Sequence, residues 1–297
     1  MKGRFAPSPT GRMHLGNIYS ALLSYLSAKS QKGQWVLRIE DIDPDRSRIE
    51  FTKHILDDLQ WLGMPWDEGP YYQSQHGAIS HQHLEQLNSL GLVYPCHCTR
   101  AEIMATQAPH ESDGRVVYKG TCRPINPQPM DTVDTPQKLR LIVPDRDIHF
   151  TDHHYGPHTV NLSSHCGDFI LRRADGAWAY QIAVVLDDAL MGITEVVRGR
   201  DLLLSTAQQI YLHQLLGFTP PSFAHLPLLC NSSMQRLSKR DKSLDMSHLR
   251  TTHTAPQIIG ILAHHAGLIP SPEPLMPQDL IPLFSWAKVP TSDIILK

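Results

Sequence analysis

Two polar clusters and one sulfur cluster hold the chemistry available to this chain. The first is His14-Leu15-Gly16-Asn17, at the start of a helical repeat and just after the turn Pro7-Ser8-Pro9-Thr10-Gly11. N–H groups at a helix N-terminus lack partners and carry partial positive charge, so a triphosphate can lie against them. Gly16 presents no side chain to hold a ribose or adenine off the backbone, and His14 can donate to phosphate oxygens. The second is Arg236-Leu237-Ser238-Lys239-Arg240, in a polar segment that follows the apolar run 226–229. There Lys239 can neutralise charge during displacement at an α-phosphorus, and a donor aimed at developing charge is worth about 3–4 kcal/mol in a dry site. Taken singly, each has a plainer reading, as a capped amphipathic helix with a surface histidine and as a solvated basic loop. The third cluster is Cys96-His97-Cys98, then Tyr118 and Cys122. Three thiolates suit tetrahedral zinc and leave a fourth position to His97, Tyr118 or His110, with free thiols as the alternative. His153-His154 and Cys166 read as scattered solvated side chains.

The elements that must position these residues alternate between strand and helix. Arg4-Phe5-Ala6 is a short strand, and helical spacing runs through Ile18, Leu22, Leu23 and Leu26. Gly33 ends it, Trp35 to Ile39 reads as a second strand, and Ser47 is placed to cap the helix carrying Ile49, Ile55, Leu56 and Leu59. The crossover is long enough for parallel pairing, which predicts a doubly wound parallel α/β sheet of Rossmann type. That order is expected over 1–92 and 168–245, where Phe169-Ile170-Leu171, residues 180–185 and Glu195-Val196-Val197-Arg198 give strand and helix signals and a helix ends at Gly217. It fails over 93–167, which holds most of the cysteines and a proline-dense stretch and reads as an inserted subdomain. Residues 246–297 read as a short helical C-terminal region.

Composition narrows the class without choosing a function. With 41% apolar and 19% charged residues, the 297-residue chain has the make-up of a soluble protein with ample core material. No apolar run reaches the roughly 18 residues of a membrane span, and the start Met1-Lys2-Gly3-Arg4 opens no secretory signal, so a cytoplasmic protein is expected. A net charge of -2 gives no global argument for nucleic acid, so an RNA partner needs a local basic patch. Five cysteines, an odd number, favour metal over a disulfide framework.

The clusters gain weight together. Arg4-Phe5-Ala6-Pro7-Ser8-Pro9-Thr10-Gly11 before His14-Leu15-Gly16-Asn17 resembles the signature strand and HIGH motif of class I glutamyl/glutaminyl tRNA synthetases. Arg236-Leu237-Ser238-Lys239-Arg240 resembles their KMSKS loop, and the likeness extends through Leu37-Arg38-Ile39-Glu40-Asp41-Ile42-Asp43-Pro44, Asp58-Leu59-Gln60-Trp61-Leu62-Gly63 and Val197-Arg198-Gly199-Arg200-Asp201-Leu202. Two positions depart from the pattern: Asn17 stands for the last histidine of HIGH, and the second loop opens with Arg236-Leu237. Asn still donates and Arg keeps the charge, so activity is expected to survive both.

The resemblance implies ATP with Mg against His14, Gly16, Asn17, Arg236, Ser238 and Lys239, with His14, Gly16, Asn17 and Lys239 as the catalytic set. It implies L-glutamate bound by Arg4, Phe5, Ala6, Pro7, Ser8, Glu40, Tyr180 and Arg198: guanidinium forks for two carboxylates, Glu40 for the ammonium, hydroxyls from Ser8 and Tyr180. A Glu40–Arg198 ion pair is the structural alternative. It also favours Tyr118 as the fourth zinc ligand, through a Cys-x-Cys…Tyr-x3-Cys arrangement, with one structural zinc held by Cys96, Cys98, Tyr118 and Cys122. Only about fifty residues follow the second loop. Without room for a helical anticodon-binding region, the chain resembles the short glutamyl-Q tRNA(Asp) synthetases, which implies a monomer transferring activated glutamate to queuosine in the tRNA(Asp) anticodon arm. The rivals are a truncated enzyme charging a tRNA 3′ end and a catalytically silent RNA-binding paralogue.

Overall fold

The computed structural model describes residues 1–105, 117–134, 137–237 and 244–296. The chain opens with β1 (Lys2–Phe5), α1 (Leu15–Ser30), β2 (Gln34–Ile39), α2 (Ile49–Trp61), β3 (Glu68–Tyr72) and α3 (Gly77–Ser89). Next come β4 (Val93–Pro95), α4 (Arg100–Ala105), β5 (Leu139–Leu141), β6 (Asp147–Asp152), β7 (Gly156–Asn161), α5 (Leu162–His165) and β8 (Phe169–Arg172). They are followed by α6 (Tyr180–Leu190), β9 (Glu195–Gly199), α7 (Ser205–Leu216) and β10 (Ser222–Leu226). The chain ends with β11 (Leu229–Cys230), α8 (Met246–Thr252), α9 (Ala255–His265), α10 (Pro277–Leu280) and β12 (Ile294–Ile295).

Seven strands form the central sheet in the order β3-β2-β1-β9-β10-β6-β7, all parallel except β7, which returns antiparallel on β6. The expected doubly wound α/β order is present, with its strand order reversing between β1 and β9. Both faces are covered because strand residues alternate sides. Phe5, Trp35, Leu37, Ile39 and Val197 join a core with α1, α2, α8 and α9. Val36, Val196 and Phe223 join another with α3, α6 and α7. The C-terminal helices therefore share a core with α1, whose buried residues run from Leu15 to Ala28. No helix among the described residues is long and apolar enough to cross a membrane.

Three local expectations change. Arg48, not Ser47, is the N-cap of α2 and makes no side-chain cap bond; Ser47 instead donates its N–H to Asp43 O at 2.9 Å. Residues 147–161, expected inside the insertion, form the β6–β7 hairpin on the edge of the central sheet, where Phe223 pairs with Asp152. Their alternation is half-buried and histidine-rich, which hid the strand signal in a stretch dominated by proline and cysteine. Conversely Phe169-Ile170-Leu171, expected to rejoin the central sheet, lies in β8 of a separate three-stranded sheet, β4-β5-β8.

Candidate active site

Ligands of open α/β sheets collect outside the carboxyl ends of the strands, where the strand order reverses. A cavity of about 430 Å³ lies at that point, between the ends of β1 and β9. Arg4, Phe5, Ala6, Pro7 and Ser8 line it from the end of β1, Glu40 from the end of β2, Tyr180 from the start of α6, and Arg198 from β9. His14, Asn17 and Arg236 complete the wall. Gly16 joins His14, Asn17 and Arg236 around an adjoining cavity of about 100 Å³. Ser238, Lys239 and Arg240 lie outside the described residues, as does His110.

Strand parity decides which side chains meet. Phe5 faces the α1 side, so Arg4 faces the α6–α7 side, together with Arg38 two residues on from Val36 and Arg198 two on from Val196. Helix α6 meets them with Asp187 and Asp188, both buried. Asp188 Oδ1 accepts from Arg38 Nη1 at 2.6 Å and Arg4 Nε at 3.4 Å. Burial would raise the Asp188 carboxyl, but Arg38 and Arg4 hold it below the usual carboxylate range. Asp187 takes Gln73 Nε2 at 2.6 Å and His76 Nδ1 at 2.5 Å. Burial pushes the Glu40 carboxyl up despite Arg38, whose Nη2 lies 3.3 Å from Glu40 Oε1. Glu40 thus pairs with Arg38, and the alternative Glu40–Arg198 ion pair is not formed.

Arg198 is held differently. Its Nη1 donates to Gln209 Oε1 at 2.8 Å, its Nη2 to Thr206 Oγ1 at 2.9 Å and Leu202 O at 3.3 Å, and its Nε to His225 Nε2 at 3.0 Å. The other ring nitrogen of His225 is 2.6 Å from Asp152 Oδ2, which fixes the tautomer with Nδ1–H donating to Asp152 and Nε2 accepting. Burial pushes the His225 imidazole down to about 4, so it is neutral at pH 7. Every partner of Arg198 is therefore uncharged, and among the described residues it makes no ion pair. The guanidinium is 6% exposed: rigid, desolvated and still positive.

His14 is the N-cap of α1. Its Nδ1 accepts from Gly16 N at 3.1 Å, while Asn17 Oδ1 accepts from His14 N at 3.0 Å, closing a reciprocal capping box. A Cβ on residue 16 would lie 3.0 Å from His14 Cε1, so any larger residue would have to push that folded-back ring aside by a few tenths of an ångström. The capped helix of the plainer reading is real, yet His14 is buried against the cavity rather than solvated. Arg236 is exposed and pairs with Asp201.

The sulfur cluster is compact. Sγ atoms of Cys98 and Cys122 are 3.4 Å apart, and Tyr118 Oη lies 3.6 Å from Cys96 Sγ and 3.9 Å from Cys98 Sγ. A tetrahedral site with arms of about 2.3 Å has ligand–ligand edges of roughly 3.7 Å, so these four donors fit zinc. Burial would raise the Cys122 thiol, but hydrogen bonds from the His97 backbone, Tyr118 and Cys98 bring it to about 6. His97 is not part of the group. Cys166 donates to Leu162 O, and His154 contacts Pro290 O, so they make no second site.

Arg38, Asp187, Asp188, Gln209 and His225 went unassigned in the sequence, although they hold the pocket. The available signal was charge where both faces of an element are apolar: Asp187-Asp188 end the run Ile182-Ala183-Val184-Val185-Leu186.

The family model described as tRNA synthetases class I (E and Q), catalytic domain, matches residues 1–263. A glutamyl-Q tRNA(Asp) synthetase of Symbiobacterium thermophilum is 44% identical over 307 residues, covering 98% of this chain and 94% of its own. Another from Nitratidesulfovibrio vulgaris is 44% identical over 308 residues, covering 99% and 95%. A crystal structure of a glutamate tRNA ligase from Elizabethkingia meningosepticum, in complex with its amino acid, aligns with a TM-score of 0.83 at 29% identity, over 100% of this chain and 67% of that one.

Proposed function

The chain belongs to the class I tRNA synthetase family for glutamate and glutamine, within its glutamyl-Q tRNA(Asp) synthetase branch, and on that premise we propose that it activates L-glutamate with ATP and transfers it to queuosine in the anticodon loop of tRNA(Asp). The observation that carries this reading is Arg198, a buried cation with no carboxylate partner among the described residues, lining the same cavity as Arg4, Glu40 and the helix start at His14. Glutamate supplies what such a pocket lacks. Its two carboxylates go to Arg4 and Arg198, and its ammonium to Glu40. Hydroxyls of Ser8 and Tyr180 and the backbone of Phe5, Ala6 and Pro7 close the contact surface.

ATP enters as its magnesium complex and lies along His14, Gly16 and Asn17, with Arg236, Ser238 and Lys239 on the phosphates. The glutamate α-carboxylate attacks the α-phosphorus in line and pyrophosphate leaves, with Lys239 offsetting the charge that builds up. Positioning and electrostatics supply the acceleration, and no covalent enzyme intermediate forms. A queuosine hydroxyl then attacks the acyl carbon, losing its proton as AMP departs. Recognition of the anticodon arm rests on loop shape and an exposed modified base. Zinc on Cys96, Cys98, Tyr118 and Cys122 has a structural part, cross-linking a segment poor in apolar periodicity. The protein works as a cytoplasmic monomer.

Labelled glutamate offered with tRNA(Asp) that carries or lacks queuosine tests the reading. Acceptance confined to the queuosine-containing tRNA is expected. Equal acceptance by both moves the activity to the 3′ end. Absence of glutamate-dependent ATP–pyrophosphate exchange, with or without tRNA, leaves only RNA binding.

A further inference from the structure

Arg140, on β5, is another buried guanidinium that the proposed reaction does not use. It is 4% exposed, and among the described residues it makes no ion pair. Its Nη1 donates to the backbone oxygen of Asp168 at 2.6 Å, while the Asp168 carboxylate is turned to Val143 N, Tyr94 Oη and Arg123. A desolvated cation of this kind is costly unless an anion faces it. Two further interactions of the guanidinium are to the sulfur cluster. Nε donates to Cys96 Sγ at 3.1 Å, and the guanidinium lies over the Tyr118 ring, 3.7 Å from the centroid.

We infer that Arg140 is the counter-charge and positioning residue of the metal centre: its Nε–H holds the Cys96 sulfur and its plane holds the Tyr118 ring. The inference rests on the zinc reading above. A divalent ion bound by three thiolates and one phenolate leaves a net charge of about −2 in a site that is buried on its Cys96–Tyr118 side, and donors to ligand atoms commonly set both the affinity and the geometry of such sites. Arg140 supplies one positive charge and a directed N–H to that anion. The contact to Asp168 O ties the same guanidinium to the end of the insertion where β8 begins, so the centre and the small sheet share one anchor.

The experiment compares the full-length wild type with Arg140→Gln and Arg140→Lys. Zinc content is measured by elemental analysis and zinc affinity by competition with a chromophoric chelator. The thiolate-to-cobalt charge-transfer band is recorded after cobalt replaces zinc. Arg140→Gln is expected to weaken zinc about 10- to 100-fold and displace the band. Arg140→Lys keeps the charge without the fork or the plane, and falls between Gln and wild type. Zinc affinity and cobalt band unchanged in Arg140→Gln overturn the inference, since a purely structural tie to Asp168 moves neither. Should Arg140→Gln fail to fold, unchanged values in Arg140→Lys overturn it equally. Wild type that neither holds nor takes up zinc rejects the metal reading and this inference with it. Loaded wild type beside an unaffected variant rejects this inference alone.

Discussion

Arg198 is immobilised by neutral partners, so its position is fixed while its charge stays available. A carboxylate partner would have fixed it equally well and quenched it. Arg198→Lys keeps the charge but loses the fork, and no lysine reaches Gln209, Thr206 and His225 together. A charge-assisted hydrogen bond is worth about 1.5–3 kcal/mol, so loss of the fork should raise the KM for glutamate roughly 10- to 100-fold. The KM for ATP should stay within about twofold, both read by ATP–pyrophosphate exchange. Glu40 gives a pH signature. Burial raises its carboxyl, so as pH falls it protonates before an ordinary glutamate would and stops attracting an ammonium. kcat/KM for glutamate should therefore fall in mild acid, in a window above the usual carboxylate range, and Glu40→Gln should flatten that limb. In the same window proton uptake by folded Glu40 favours the fold, because its folded pKa is the raised one. Thermal melting that drops in step with activity would point to unfolding instead. At this scale the legible part came from resemblance: Arg4, Glu40, Tyr180 and Arg198 could be named because they match the family's positions, and they do line one cavity. Their partners could not, since Gln209 and His225 are ordinary residues until packing places them.

Elements set the geometry. Period-two alternation turns Arg4, Arg38, Arg198 and His225 onto one face of the sheet, and the start of α1, with Gly16 N capped by His14 Nδ1, lines the same cavity system. A smaller device holds the second cavity. β12 runs parallel to β11, with Ile294 N donating to Leu228 O and Leu296 N to Cys230 O, both at 2.9 Å. Asp293 clamps this strap, accepting from Arg200 Nε at 2.6 Å and from Leu228 N at 2.9 Å. Leu228 and Leu229 line the cavity shared with His14, Gly16 and Arg236. Asp293→Ala should loosen the nucleotide side only. The pair is half-exposed, so the loss is about 1 kcal/mol, roughly a fivefold rise in the KM for ATP. A matching rise in the KM for glutamate would contradict this. The strap was invisible in the sequence because Ile294-Ile295 is too short to read as a strand. α1, β2, β9 and α7 were readable, with Gly217 at φ 76° ending α7 as a left-handed cap. Ser47 misled because a residue with cap chemistry sits one position before the true cap, and local chemistry does not reveal where the backbone turns helical.

At the scale of the molecule, the cavity between the ends of β1 and β9 joins segments almost 200 residues apart, and the sulfur cluster lies beyond it on the small sheet. The sequence by itself determined the chemistry on offer. Residue types and spacing offered a helix start suited to phosphate and a thiolate cluster, the family resemblance implied a pocket for an acidic amino acid, and the alternation of elements predicted a doubly wound sheet. These are local properties, carried by composition and period. Only the tertiary structure decided which groups neutralise one another: that Glu40 pairs with Arg38, that Asp188 faces Arg4, that Arg198 and Arg140 lie buried with no carboxylate partner among the described residues. It also moved residues 147–161 onto the central sheet and 169–172 off it. Such outcomes depend on distances across the fold, and a charge acquires its energetic meaning only from its neighbours and its distance from water.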